Sequence, residues 1–189
     1  MSKEQLGSLI EQLNAATKAE RLAALTAIRK LVDSGEIPQP ARGKDVNNHI
    51  HTFYSFSPYS PAKAVYRSWD AGLATTGIMD HDSISGAEEF IEAGRILGIA
   101  TTVGAELRAD FSGTLLEGRR VNNPDQNTVT YVAMHGIPHT EIAAVKKFFE
   151  PIGVERGKRN RAMVERINAV LKLPAIAIDY DRDVVPLSM

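Results

Sequence analysis

Asn47-Asn48-His49-Ile50-His51-Thr52 closes a segment, from Asp45 to Ile50, that reads as a β-strand. In a strand, residues i and i+2 face the same side. His49 and His51 therefore point the same way, and two neutral imidazoles so placed can grip one metal ion. The same pair also suits two surface histidines on an edge strand, or one core histidine beside an exposed neighbour. The surrounding sequence has to decide.

Downstream the chain falls into a βα rhythm. Ser60-Pro61 starts a helix, with a serine cap and proline in the first turn, and Gly72 ends it. Residues 73–79 read as a second strand. Ser85 with Glu88 caps the next helix, which stops at Gly98. Residues 99–105 read as a third strand, 108–127 as a long polar loop and 128–134 as a fourth strand. Helices follow over about 140–150 and 155–172, and 175–178 opens a fifth strand. Strands alternating with helices argue for an α/β fold on a parallel sheet, open or closed into a barrel.

Chemistry-bearing residues fall at one phase of this rhythm. His49 and His51 end the first strand, Asp80 and His81 the second, Glu106 the third and His135 the fourth, in steps of roughly 25–30 residues, about one βα unit each. In such folds the active site lies where the C-terminal strand ends converge. A multi-metal site accounts for this phase better than independent core histidines do. Imidazole and carboxylate without thiolate suit zinc, manganese or iron, and a carboxylate such as Glu106 can bridge two ions. Two ions ~3.5–4 Å apart stabilise the attacking and leaving oxygens of a phosphoester and activate a bound water. Asp80 is read either as a ligand or as a group that orients one. Asp82 serves equally as a turn or cap residue.

These residues resemble the PHP (polymerase and histidinol phosphatase) family over roughly 47–138. The carriers are His49-Ile50-His51, Asp80-His81-Asp82, Gly104-Ala105-Glu106 and His135. The resemblance implies part of a distorted (β/α)7 TIM-like barrel with two or three divalent metal ions and phosphoesterase activity, by attack of a metal-bridging hydroxide on phosphorus. It implies that His49, His51 and Glu106 hold one ion, that Glu106 and His135 share a second, and that His81 serves a third position. An amidohydrolase-type reaction on a similar barrel, or a non-catalytic metal-binding domain, are the alternatives, since fold does not set function.

The sequence departs from the family pattern in two places. Phe56 and Ser57 stand where many members carry a further Asp or His. After His139 there is no histidine, and Asp179, Asp181 and Asp183 do not restore the family's late Asp-x-His ligands. Four or five strands cannot close a barrel. A PHP-like domain over 41–189, incomplete at its C-terminus, is the preferred expectation; completion by homo-oligomerisation and a smaller open sheet are the others.

Residues 1–40 read as a helical extension. Ser2 with Gln5 and Thr17 with Glu20 form capping boxes, and Leu22, Leu25, Ile28, Leu31 and Val32 make an apolar stripe before the Pro38-Gln39-Pro40 linker. The 189 residues carry a net charge of −1 and no cysteine, which excludes disulfides and thiolate chemistry. With no signal segment and no long apolar run, the expectation is a cytoplasmic protein acting on a small-molecule phosphate ester, without membrane or specific nucleic-acid binding. Arg108, Arg119 and Arg120 are candidates to clamp the phosphate, and serve as readily as solvated loop charges. His139 reads evenly as a metal or phosphate contact and as a helix-start residue. Tyr54 and Tyr59 line a pocket or simply pack. Lys158, Arg159, Arg161 and Arg166 read as a solvated helix face.

Overall fold

A computed structural model describes residues 3–185. The order is α1 (Lys3–Gln12), α2 (Lys18–Asp33), β1 (Val46–Ile50), α3 (Pro61–Asp70), β2 (Thr75–His81), α4 (Ala87–Leu97), β3 (Ala100–Asp110), β4 (Val129–His135) and α5 (Ile142–Leu171). The strands form one sheet in the order β1-β2-β3-β4. This is the expected α/β class, a curled half-barrel sheet.

The strand faces divide the labour. Ile78 of β2 and Val103 and Ala105 of β3 enter the core under α3 and α4, with Phe90 and Leu97 at its centre. Thr76 on the same face shares a hydrogen bond with Ser68 of α3 (2.8 Å). The opposite face is concave and carries Gly77, Met79 and Gly104. There the Thr102 hydroxyl donates to the Asn48 side-chain oxygen (3.3 Å), so β1 and β3 touch across β2. Gly77 makes this curl feasible: a Cβ there would fall on Thr102 Oγ1 and within 2.8 Å of Asn48 Cα.

Two helix starts are as the sequence predicts. Thr17 and Glu20 complete a capping box on α2, and Ser60 accepts from the Lys63 N–H (2.9 Å) at the head of α3. Ser2 lies outside the described residues. Ser85 does not cap α4: Gly86 holds that position without a side-chain bond, while the Ser85 N–H donates to Ser83 Oγ (3.1 Å).

Three expected elements differ. Strand β4 runs antiparallel to β3, pairing Gly104 with His135 through to Asp110 with Val129. The reason is the connection. Residues 111–128 form turns, with no helix to carry the chain back, and parallel pairing requires a crossover. The two helices expected over 140–150 and 155–172 are one, continuous through Pro151. Proline removes one N–H donor, and buried Ile142 and Phe149 with half-buried Ile152 hold the helix on the core across that gap. A short 3₁₀ turn, Pro174–Ile176, stands in place of the fifth strand.

The α1–α2 hairpin packs on the same core through Leu13, Leu22, Leu25 and Ile28. Its polar link is a buried bidentate pair, Arg21 to Glu89 of α4 (2.8 and 2.6 Å). No helix of the described residues is long and apolar enough to cross a membrane.

Candidate metal centre

Strands β1, β2 and β3 deliver their concave-face side chains to one rim. Register explains the meeting: His81 lies beside Glu106 in the β2–β3 pair, while a pairing irregularity between Asn47 and Ile50 turns His49 and His51 toward them. Glu106 Oε2 is 3.1 Å from His49 Nε2, 3.7 Å from His51 Nε2 and 3.5 Å from His81 Nε2. The His51 and His81 rings stack at 4.9 Å. Ligand atoms of His49, His51 and Glu106 all lie within 4.8 Å of one another. Three imidazole nitrogens around one carboxylate oxygen are a nitrogen–oxygen donor set that fits a divalent transition metal.

His51 titrates below its ordinary value because it is partly buried, and the neighbouring His81 and His49 imidazoles push it further down. It is therefore neutral near pH 7, the form that can ligate a metal.

His135 arrives from the antiparallel strand. It sits opposite Gly104, on the face that Glu106 shares, with its ring 6.5 Å from that of His49. His139 opens a 3₁₀ turn, His139–Glu141, and is exposed. Among the described residues, no hydrogen bond, ion pair or ring contact ties it to the cluster.

Asp80 points to the other face of β2 and is fully buried. Its Oδ1 accepts from the Thr52 N–H (2.6 Å) and Ser55 Oγ (2.6 Å), and its Oδ2 from Thr52 Oγ1 (2.6 Å). These bonds fasten the loop that follows His51. Ser55 Oγ also lies 3.2 Å from His51 Nδ1. Asn14, just after α1, braces the far side of the loop: its amide donates to Pro58 O (2.9 Å) and accepts from the Ser60 N–H (2.8 Å).

Aromatic side chains crowd the rim. Phe56 meets His81 edge-on at 4.7 Å although 80% exposed, and Tyr131 approaches His81 at 5.7 Å. Tyr54 lines a cleft of about 480 Å³ with Ser83, Lys146, Phe149 and Arg156. Tyr59 lies 5.8 Å under the Lys63 ammonium.

The arginines sort by position. Arg108 lines a second cleft of about 590 Å³ with Asp82, Arg156 and Arg159. Arg119 and Arg120 are exposed in the 111–128 loop. Arg156 borders both clefts, and its Nη1 donates to the His81 carbonyl (2.9 Å). Sequence reasoning missed Arg156, Thr52 and Ser55. The hydroxyls at one and four residues beyond His51 were a readable signal; Arg156, deep in a later helix, offered none.

No protein-family model matches the chain. It is similar to an error-prone DNA polymerase of Corynebacterium efficiens, 29% identical over 175 residues, which cover 79% of this chain and 15% of the polymerase. It is also similar to a 5'-3' exoribonuclease of Haemophilus influenzae, 30% identical over 70 residues, 37% of this chain and 26% of the nuclease. Among solved structures, a provisionally assigned metal-dependent phosphoesterase of Bifidobacterium adolescentis shares the fold at a TM-score of 0.51 and 26% identity, over 80% of this chain and 45% of that one. The chain thus spans a minor part of each of these proteins, and its mixed α/β half-barrel is the fold of the phosphoesterase over that part.

Proposed function

We propose that this chain carries the site of a metal-dependent phosphoesterase of the PHP type. One observation carries the reading: His49, His51 and His81 turn their Nε2 atoms to a single oxygen of Glu106. The likeness to a metal-dependent phosphoesterase supports it, as does the likeness to a 5'-3' exoribonuclease over part of the chain.

In this reading His49, His51 and Glu106 hold one zinc, manganese or iron ion, and His81 and His135 extend the set to a second or third. Bound ions would lower the pKa of a water and stabilise negative charge on the phosphoryl oxygens. The protein's own part is positioning. Glu106 would supply the carboxylate that shares a bound ion with the imidazoles facing it. Arg156 borders both clefts and is steadied by the His81 carbonyl, and its other N–H groups would be the donors to a phosphate oxygen bound there. Arg108 flanks the second cleft and would contribute charge from the opposite wall.

The test is metal content by elemental analysis, followed by a screen of the metal-loaded protein against phosphomonoesters, phosphodiesters and amides. We expect bound transition metal and phosphoester hydrolysis, both lost in Glu106→Gln. A folded protein that takes up no metal, or that cleaves amides alone, would overturn the assignment.

A further inference from the structure

The contacts beneath the cluster imply a direction of hydrogen bonding. Asp80 as a carboxylate has no proton to give, so both hydroxyls near it must donate. Ser55 Oγ has one proton, and at 2.6 Å from Asp80 Oδ1 that proton is committed to the carboxylate. The same oxygen faces His51 Nδ1 at 3.2 Å. With its proton engaged, Ser55 Oγ can only accept from the ring, so Nδ1 must be the protonated nitrogen. A neutral imidazole carries one N–H. His51 Nε2 is then a bare lone pair directed at Glu106 Oε2, 3.7 Å away. Two lone pairs facing each other repel unless a cation stands between them.

We propose that Ser55 is a positioning residue that fixes the tautomer of His51, and that buried Asp80 sets the direction of this Asp80–Ser55–His51 relay. The role in metal capture rests on the metal-centre reading above; the tautomer does not. The relay explains why a fully buried carboxylate stands behind the cluster rather than in it. It also couples the fold of the 52–60 loop to the chemistry of the ring, because the Thr52 N–H and hydroxyl hold the same carboxylate. Without Ser55, nothing on this path favours Nδ1–H, and the ring would drift to the Nε2–H form that imidazole side chains favour in water. That form places a proton where the metal must bind.

The experiment is long-range ¹H–¹⁵N correlation of the histidine rings in metal-free protein at a pH where His51 is neutral. The chain has only five histidines, each assignable by a His→Gln variant. Zinc affinity is measured in parallel by competition with a chelator. We expect a pyrrole-type signal at Nδ1 and a pyridine-type signal at Nε2 of His51. Ser55→Ala should move the ring toward Nε2–H and weaken zinc binding about 10- to 100-fold, while Ser55→Thr should keep both properties. An Nε2–H tautomer in the wild type, or a Ser55→Ala variant with unchanged tautomer and zinc affinity, overturns the proposal. A wild type that shows the Nδ1–H tautomer but binds no zinc would sink the metal-centre reading and leave the relay standing.

Discussion

Glu106 presents one oxygen to three imidazoles, and its side chain remains only 18% exposed. Losing that negative charge should harm metal capture more than losing a supporting partner, which costs about 10- to 100-fold. Glu106→Gln should therefore lower zinc affinity by at least about 100-fold, read by chelator competition, with the thermal midpoint of the metal-free protein little changed. The depressed titration of His51 also has a sign. Its folded-state pKa lies below the ordinary 6.5 because of burial and the two neighbouring rings. Between those two values the unfolded chain takes up a proton that the folded site refuses. The stability contributed by neutral His51 is complete above about pH 6.5 and declines as the pH falls below it. Denaturation of the metal-free protein at pH 7.5 and 5.5 should show that decline, and His51→Gln should make it shallower. The histidines and Glu106 were legible because strand alternation and strand ends are local features. The Asp80 network was not: a carboxylate before a strand-end histidine looks the same whether it faces the site or the helices, and only sheet packing decides.

Elements carry two further lessons. The curl depends on Gly77, whose place under the Thr102–Asn48 contact leaves no room for a methyl group. Gly77→Ala should cost about 1–3 kcal/mol by overpacking, measured by urea unfolding. A Thr102→Ala background should recover only part of that loss, because Asn48 Cα is backbone and stays in the way. Strand β4 was legible as a strand but not in its direction. Alternation reports burial and is blind to polarity; polarity follows from the connection, and the turn-rich 111–128 segment was the clue. Pro151 misled in the other direction. A proline lowers the stability of a helix turn without ending the helix, and packing by Phe149 and Ile152 outweighs the missing donor.

At the scale of the whole molecule, the N-terminal hairpin and the sheet-covering helices share one core, joined by Arg21 and Glu89, 4% and 3% exposed. Glu89 raises the Arg21 pKa further through their hydrogen bonds. Arg21 also donates to Ala15 O (2.8 Å) and Ala16 O (3.0 Å), and Glu89 accepts from the Ala62 N–H (3.1 Å). Glu89→Ala would strand a buried guanidinium and should cost about 3–5 kcal/mol, whereas an Arg21→Met/Glu89→Leu double variant should cost much less. Chemical denaturation of the single and double variants checks the ordering. The apolar stripe of α2 was legible from the sequence, but the pairing of two charges 68 residues apart was not, since no local pattern links them.

The antiparallel return of β4 also bears on the order of assembly. A hairpin zips outward from its turn, and each new pair enlarges the closed loop only slightly. The parallel pairs have to bring a whole βα unit back before their first contact forms. We therefore expect β3 and β4 to gain hydrogen-exchange protection early in refolding, with His135 opposite Gly104 and so already on the face that Glu106 shares. His49, His51 and His81 would join when β1 and β2 dock. Pulse-labelling exchange would show the sequence, and simultaneous protection of all four strands would refute it. On this order a metal ion added during refolding would meet Glu106 and His135 before the three histidines that β1 and β2 bring, and would act as a late clasp on the parallel strands.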